Sequence, residues 1–148
     1  MKVLVLAALV LFSGIANAET WITVSLASYH FKERDSEKGS YEQTNPGLGL
    51  EYLINDRWRL GAGTYRSSIR TDASYVGAIY IPSYLRSTYW RLGLAVGVVS
   101  GYETNLSPLI VPTLMVEGKR VGMNILFVPP VQKTNGGGLG FQIKLKFP

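Results

Sequence analysis

From residue 20 onward the apolar and polar positions of this chain alternate with a period of two, and helical spacing is almost absent. The strictest run is GFQIKLKF, which sets Phe141, Ile143, Leu145 and Phe147 on one face and Gln142, Lys144 and Lys146 on the other. In WRLGLAVGVV the bulky residues Trp90, Leu92, Leu94, Val96 and Val98 share a face, opposite Gly93, Ala95 and Gly97. Strands are predicted over 21–31, 47–54, 58–68, 74–81, 89–100, 109–117, 120–128 and 138–147, eight in all. Most have the roughly 9–11 residues that a tilted strand needs to cross a bilayer.

The breaks between strands differ in kind. Asn55-Asp56-Arg57, the segment 82–88 and Gly118-Lys119 read as short turns. The segments 32–46, 69–73, 101–108 and 129–137 are mostly longer, polar or glycine-rich. Short turns at one end, long loops at the other and an even strand count predict an all-β fold, an eight-stranded antiparallel transmembrane β-barrel with its long loops outside. A final alternating strand closing on Phe147 suits recognition by barrel-assembly machinery. The competing expectation is a soluble periplasmic sandwich of amphipathic strands.

Composition narrows the setting. Met1-Lys2, the apolar run 3–11 and Ala16-Asn17-Ala18 make a secretory signal peptide over 1–18, cleaved after Ala18, so the barrel domain is 19–148. Its apolar run is too short for a spanning helix. With no cysteine and one histidine, no metal centre is expected, and no cofactor. The net charge of +5 is scattered, with no basic run suited to nucleic acid. In the outer membrane of a Gram-negative cell, the location these features predict for a monomer, anionic lipid head groups are the natural partner for it.

Two further patterns bear on function. SPLIVP (107–112) puts Pro108 and Pro112 in or beside an apolar run that reads as strand, although proline cannot donate to a ladder. Inward glycines, among them Gly93 and Gly97, either leave the lumen open for something thin or allow a small barrel to coil tightly. The only histidine, His30, lies where the first strand meets the charged segment KERDSEKGSYEQTNP, near the rim that also receives Ser67, Ser68 and Asp72. Histidine suits proton transfer near neutral pH, but a lone histidine in a barrel is more often an interfacial polar residue. Strict alternation groups His30 with Leu26, so an inward His30 requires a bulge or the start of the loop.

In their order these motifs resemble the lipid A palmitoyltransferase (PagP) family. They are Tyr29-His30-Phe31, Tyr41, Pro46-Gly47-Leu48-Gly49-Leu50, Tyr65-Arg66-Ser67-Ser68, Leu92-Gly93-Leu94-Ala95-Val96-Gly97, the SPLIVP run and Pro129. The resemblance implies an outer-membrane acyltransferase that moves a fatty acyl chain from a glycerophospholipid to lipid A. It implies His30 as general base with Ser68 and Ser67 beside it, and Lys32, Arg34, Arg66 and Arg70 holding lipid phosphates. Gly93 and Gly97 would border the acyl chain, and Pro46, Pro108, Pro112 and Pro129 would mark lateral gates. Ser67 stands where the family carries aspartate. The alternatives are a non-catalytic small outer-membrane barrel and a lipid A deacylase or phospholipase.

Overall fold

Period-two alternation needs a partner for every backbone edge, and closure of the sheet supplies it. The computed structural model describes residues 19–32, 37, 39–102, 105–130 and 137–148, and the signal peptide expected over 1–18 lies outside them. Among the described residues eight strands follow one another: β1 (Thr20–His30), β2 (Thr44–Leu53), β3 (Trp58–Arg66), β4 (Asp72–Tyr80), β5 (Trp90–Ser100), β6 (Ser107–Glu117), β7 (Val121–Val128) and β8 (Gly138–Lys146). They form a closed barrel in sequence order. Each pair is antiparallel, and β8 returns to β1 from Trp21↔Lys146 to His30↔Gly138.

Outward positions are apolar along most of their length, with Leu48, Val76, Leu92, Leu94, Ile110 and Val121 all exposed. Aromatic residues gather at both ends of this band: Trp58, Tyr80, Trp90 and Phe147 at the short-turn end, Tyr29, Phe31 and Phe127 at the other. Such a wall suits hydrocarbon flanked by interfacial aromatic girdles.

The turn after β2 is closed by Asn55, whose Oδ1 accepts the backbone N–H groups of Arg57 (2.9 Å) and Trp58 (3.0 Å). The β4–β5 connection, expected as a short turn, spans 81–89 and is longer than the 67–71 connection at the opposite end. It folds back on itself through Leu85 N–H to Pro82 O (3.1 Å) and Ser87 N–H to Trp90 O (2.7 Å), with Ile81 fully buried beneath it.

Strands β2 and β6 begin earlier than the sequence pattern predicts, so Pro46 and Pro108 lie inside strands. The β5–β6 ladder runs unbroken from Trp90↔Val116 to Val99↔Ser107, through Pro112 and Pro108. Proline keeps a place in an unbroken ladder only where its nitrogen points away from that partner. Both nitrogens therefore face β7, and there pairing stops at Thr113↔Leu126. The two prolines border a seam that is open over its long-loop half.

Candidate functional site

In the short-turn half the inward positions carry charge. Glu51 of β2, Arg59 of β3, Glu117 of β6 and Lys144 of β8 close a ring across the lumen. Arg59 Nη1 donates to both carboxylates, and its Nη2 donates to Glu117 Oε2 at 3.0 Å. Lys144 Nζ donates to Glu51 Oε1 at 3.0 Å and to Glu117. Each cation thus bridges both acids, and each acid both cations. Arg91 of β5 adds a bond to Glu117, and Asn124 of β7 donates to Glu51 Oε2 at 3.0 Å. Arg59, Lys144 and Glu51 are 2 % exposed or less, and buried charges persist only when paired in this way. Trp21, 1 % exposed, lies beside the ring with its centroid 5.1 Å from Lys144 Nζ.

Sequence reasoning missed this ring, although a signal was present. Glu51 shares the face of Gly47 and Gly49, Arg59 that of Gly61 and Gly63, and Arg91 that of Gly93.

Several of these glycines do not line free space. Gly49 and Gly63 pair across β2 and β3, and a Cβ on either would meet the Tyr75 hydroxyl at 2.5 or 2.8 Å. They make room for that ring. Gly93 and Gly97 lie against the neighbouring strand, where a Cβ would stand 2.8 Å from Tyr80 O and 2.2 Å from Val76 O respectively. Both glycines are thus in close contact with the backbone of that strand.

Above the ring the polar column continues. Asn124 Nδ2 donates to Gln142 Oε1 (3.3 Å), and Gln142 Nε2 to Ser25 Oγ (3.2 Å). Next to Ser25 the strand breaks register: Ser25 opposes Gln142 and Ala27 opposes Phe141, leaving Leu26 as an extra residue. This bulge reverses the alternation. It exposes Leu26 on the outer wall and turns Ser28 and His30 to the inner side. Deleting Leu26 is expected to return position 28 to the lipid face. A cysteine there, labelled by a water-soluble maleimide in the intact chain, should become unreactive to it in the deletion variant.

The rim residues are brought close without forming a His–Ser pair. Ser28 Oγ donates to Asn45 Oδ1 (2.6 Å) and lies 3.3 Å from Ser68 Oγ. His30 stacks on Tyr41, ring centroids 4.1 Å apart, and its Nδ1 has no hydrogen-bond partner among the described residues. Ser67 holds the β3–β4 connection, sharing a 2.6 Å bond with Thr71 Oγ1 and accepting Thr71 N–H at 3.1 Å. Arg66 pairs with Asp72 at 3.0 Å. Arg70, whose φ of 65° places it in the left-handed region, reaches Glu42 (3.7 Å) and donates to Ser40 O (3.0 Å). Arg66 thus spans the β3–β4 hairpin, whereas Arg70 ties that hairpin to the segment before β2. Lys32 is exposed at the end of β1, and Arg34 lies outside the described residues.

Pro46 borders an open groove of about 610 Å³ on the outer wall, with Val24, Leu26 and Leu48 among its lining. Pro129 follows β7 directly. No group of three or more His, Asp or Glu residues able to hold a metal ion occurs among the described residues.

No family model matches the chain, and no curated protein matches it. Solved structures do. The de novo designed protein TMB2.3 superposes with a TM-score of 0.59 at 10 % identity, over 88 % of this chain and 93 % of the design. The Yersinia pestis outer membrane protein Ail, determined in a phospholipid bilayer nanodisc, superposes with a TM-score of 0.53 at 12 % identity, over 88 % of this chain and all of Ail. Likeness at such identities shows the fold alone: the chain is a closed, eight-stranded antiparallel β-barrel of the transmembrane kind.

Proposed function

We propose that this chain is a small outer-membrane barrel without catalytic function, which serves adhesion or envelope integrity through the surface of its long-loop end. The observation that carries this reading is the filled lumen. The Glu51–Arg59–Glu117–Lys144 ring crosses the lower half, and Tyr75 fills the space over Gly49 and Gly63. An acyl chain placed there would have to displace paired, buried charges, which costs several kcal/mol. Its fold-level likeness to an outer membrane protein supports the location.

Acyl transfer from a phospholipid to lipid A is the second reading. It is favoured by the open β6–β7 seam beside Pro108 and Pro112 and by the inner-side position of His30. In that reading His30 takes the proton of the acceptor hydroxyl as its oxygen attacks the donor ester carbonyl and returns it to the lysophospholipid oxygen as that ester bond breaks, and Lys32 and Arg34 meet lipid phosphates.

Mass spectrometry of lipid A from an outer-membrane host expressing the chain, beside the His30→Ala variant, separates the readings. The expected result is lipid A unchanged by either protein, with both barrels folded. A species heavier by one acyl chain that requires His30 would establish the transferase. A lighter species with free fatty acid would establish a deacylase.

A further inference from the structure

The barrel's net charge is not distributed evenly. At the long-loop end the segments 31–43, 66–72, 101–106 and 129–137 carry six bases and six acids. The lumen holds Arg59, Arg91 and Lys144 against Glu51 and Glu117. At the short-turn end stand five bases, Arg57, Arg86, Lys119, Arg120 and Lys146, and only two acids. Both acids are already engaged, Asp56 with Arg86 at 3.3 Å and Glu19 with Lys146 at 2.6 Å. Arg57, Lys119 and Arg120 are exposed and have no ion pair among the described residues. The positive excess of the barrel surface therefore lies at one end.

Its position fixes the kind of partner. Arg57 immediately precedes Trp58, whose ring packs on Tyr80 at 4.9 Å on the outer wall, and Trp90 and Tyr89 are exposed at the same end. Interfacial aromatic side chains mark the level of lipid head groups, so the three cations sit where phosphates lie. We infer that the short-turn end is a binding surface for anionic phospholipid head groups, with Arg57, Lys119 and Arg120 as its unpaired cations. This rests on the membrane-embedded reading of the barrel. It places the lipid-phosphate contacts at the end opposite Arg66 and Arg70, which are paired at the long-loop rim.

The tryptophans report on this directly. Trp58 and Trp90 face outward at the short-turn end, whereas Trp21 is buried in the lumen. The folded barrel is reconstituted in bilayers containing brominated phosphatidylglycerol or brominated phosphatidylcholine, and quenching of its fluorescence is compared. A surface cation contributes about fivefold in relative lipid affinity. Wild type is therefore expected to favour phosphatidylglycerol at least several-fold at low salt, and the preference should shrink at high salt. The Arg57→Gln/Lys119→Gln/Arg120→Gln variant should show near-equal quenching by the two lipids. Lys133→Gln, in the segment between β7 and β8, should leave the preference intact. Equal quenching in wild type, or a preference that survives the triple variant, overturns the inference while leaving the barrel membrane-embedded. Absence of quenching by either lipid overturns the membrane reading as well.

Discussion

Replacing Glu117 by alanine is expected to destabilise the folded barrel by about 3–5 kcal/mol, the cost of leaving buried charges without their partner. Glu117 is the most connected member of the lumen ring, accepting from Arg59, Lys144 and Arg91. Without it, three cations face Glu51 alone in an interior where Arg59 and Lys144 are almost fully shielded. A variant that removes one cation and one acid together, Glu51→Gln with Lys144→Met, keeps Arg59, Arg91 and Glu117 paired. It should cost clearly less than the sum of its two single changes, because residues of one network couple. Urea unfolding in lipid vesicles, followed by the mobility difference between folded and heated barrel on gels, measures both. A Glu117→Ala midpoint indistinguishable from wild type would show that the ring is not a stabilising unit.

Gly97→Ala should cost about 1–3 kcal/mol through overpacking against rigid backbone. An added Cβ would stand 2.2 Å from Val76 O and 2.6 Å from Gly77 Cα, and neither atom belongs to a side chain that can swing away. The opposing residue is Gly77 itself, so the two glycines allow β4 and β5 to approach closely at this level. Gly61→Ala is the matched control, since its Cβ would meet Leu50 O at 3.9 Å, an ordinary contact. That substitution should be neutral or slightly stabilising, because alanine restricts the unfolded chain more than glycine does. If the two variants unfold at the same urea concentration, close strand approach at Gly97 is not what the glycine provides.

Much of this was legible in the residues. Alternation in the WRLGLAVGVV and GFQIKLKF runs gave the correct faces for β5 and β8, because neighbouring Cβ atoms of a strand must point to opposite sides. The patterning predicts the starts of β2 and β6 too far along the chain, past Pro46 and Pro108. Proline reads there as a strand breaker, whereas only one of a strand's two ladders loses a donor at each proline. The candidate site was less legible. His30 stands out in the sequence, but its side of the wall depends on one extra residue at Leu26, and a single bulge reverses every later position in the strand. Ser67, Arg66 and Arg70 read as site residues in the sequence, and each has a partner within the rim.

By itself, then, the chain specified eight antiparallel strands and an apolar outer face, since these depend on period-two patterning and on the links between consecutive strands. Which inward residues meet was decided only by closure of the barrel. Glu51, Arg59, Glu117 and Lys144 are spread over four strands, and their parity says that each points inward but not at what height. The stagger between strands brings them to one level, and it is a property of the whole closed sheet. The same closure set Tyr75 over Gly49 and Gly63, so a row of glycines that reads as space in one dimension is filled in three.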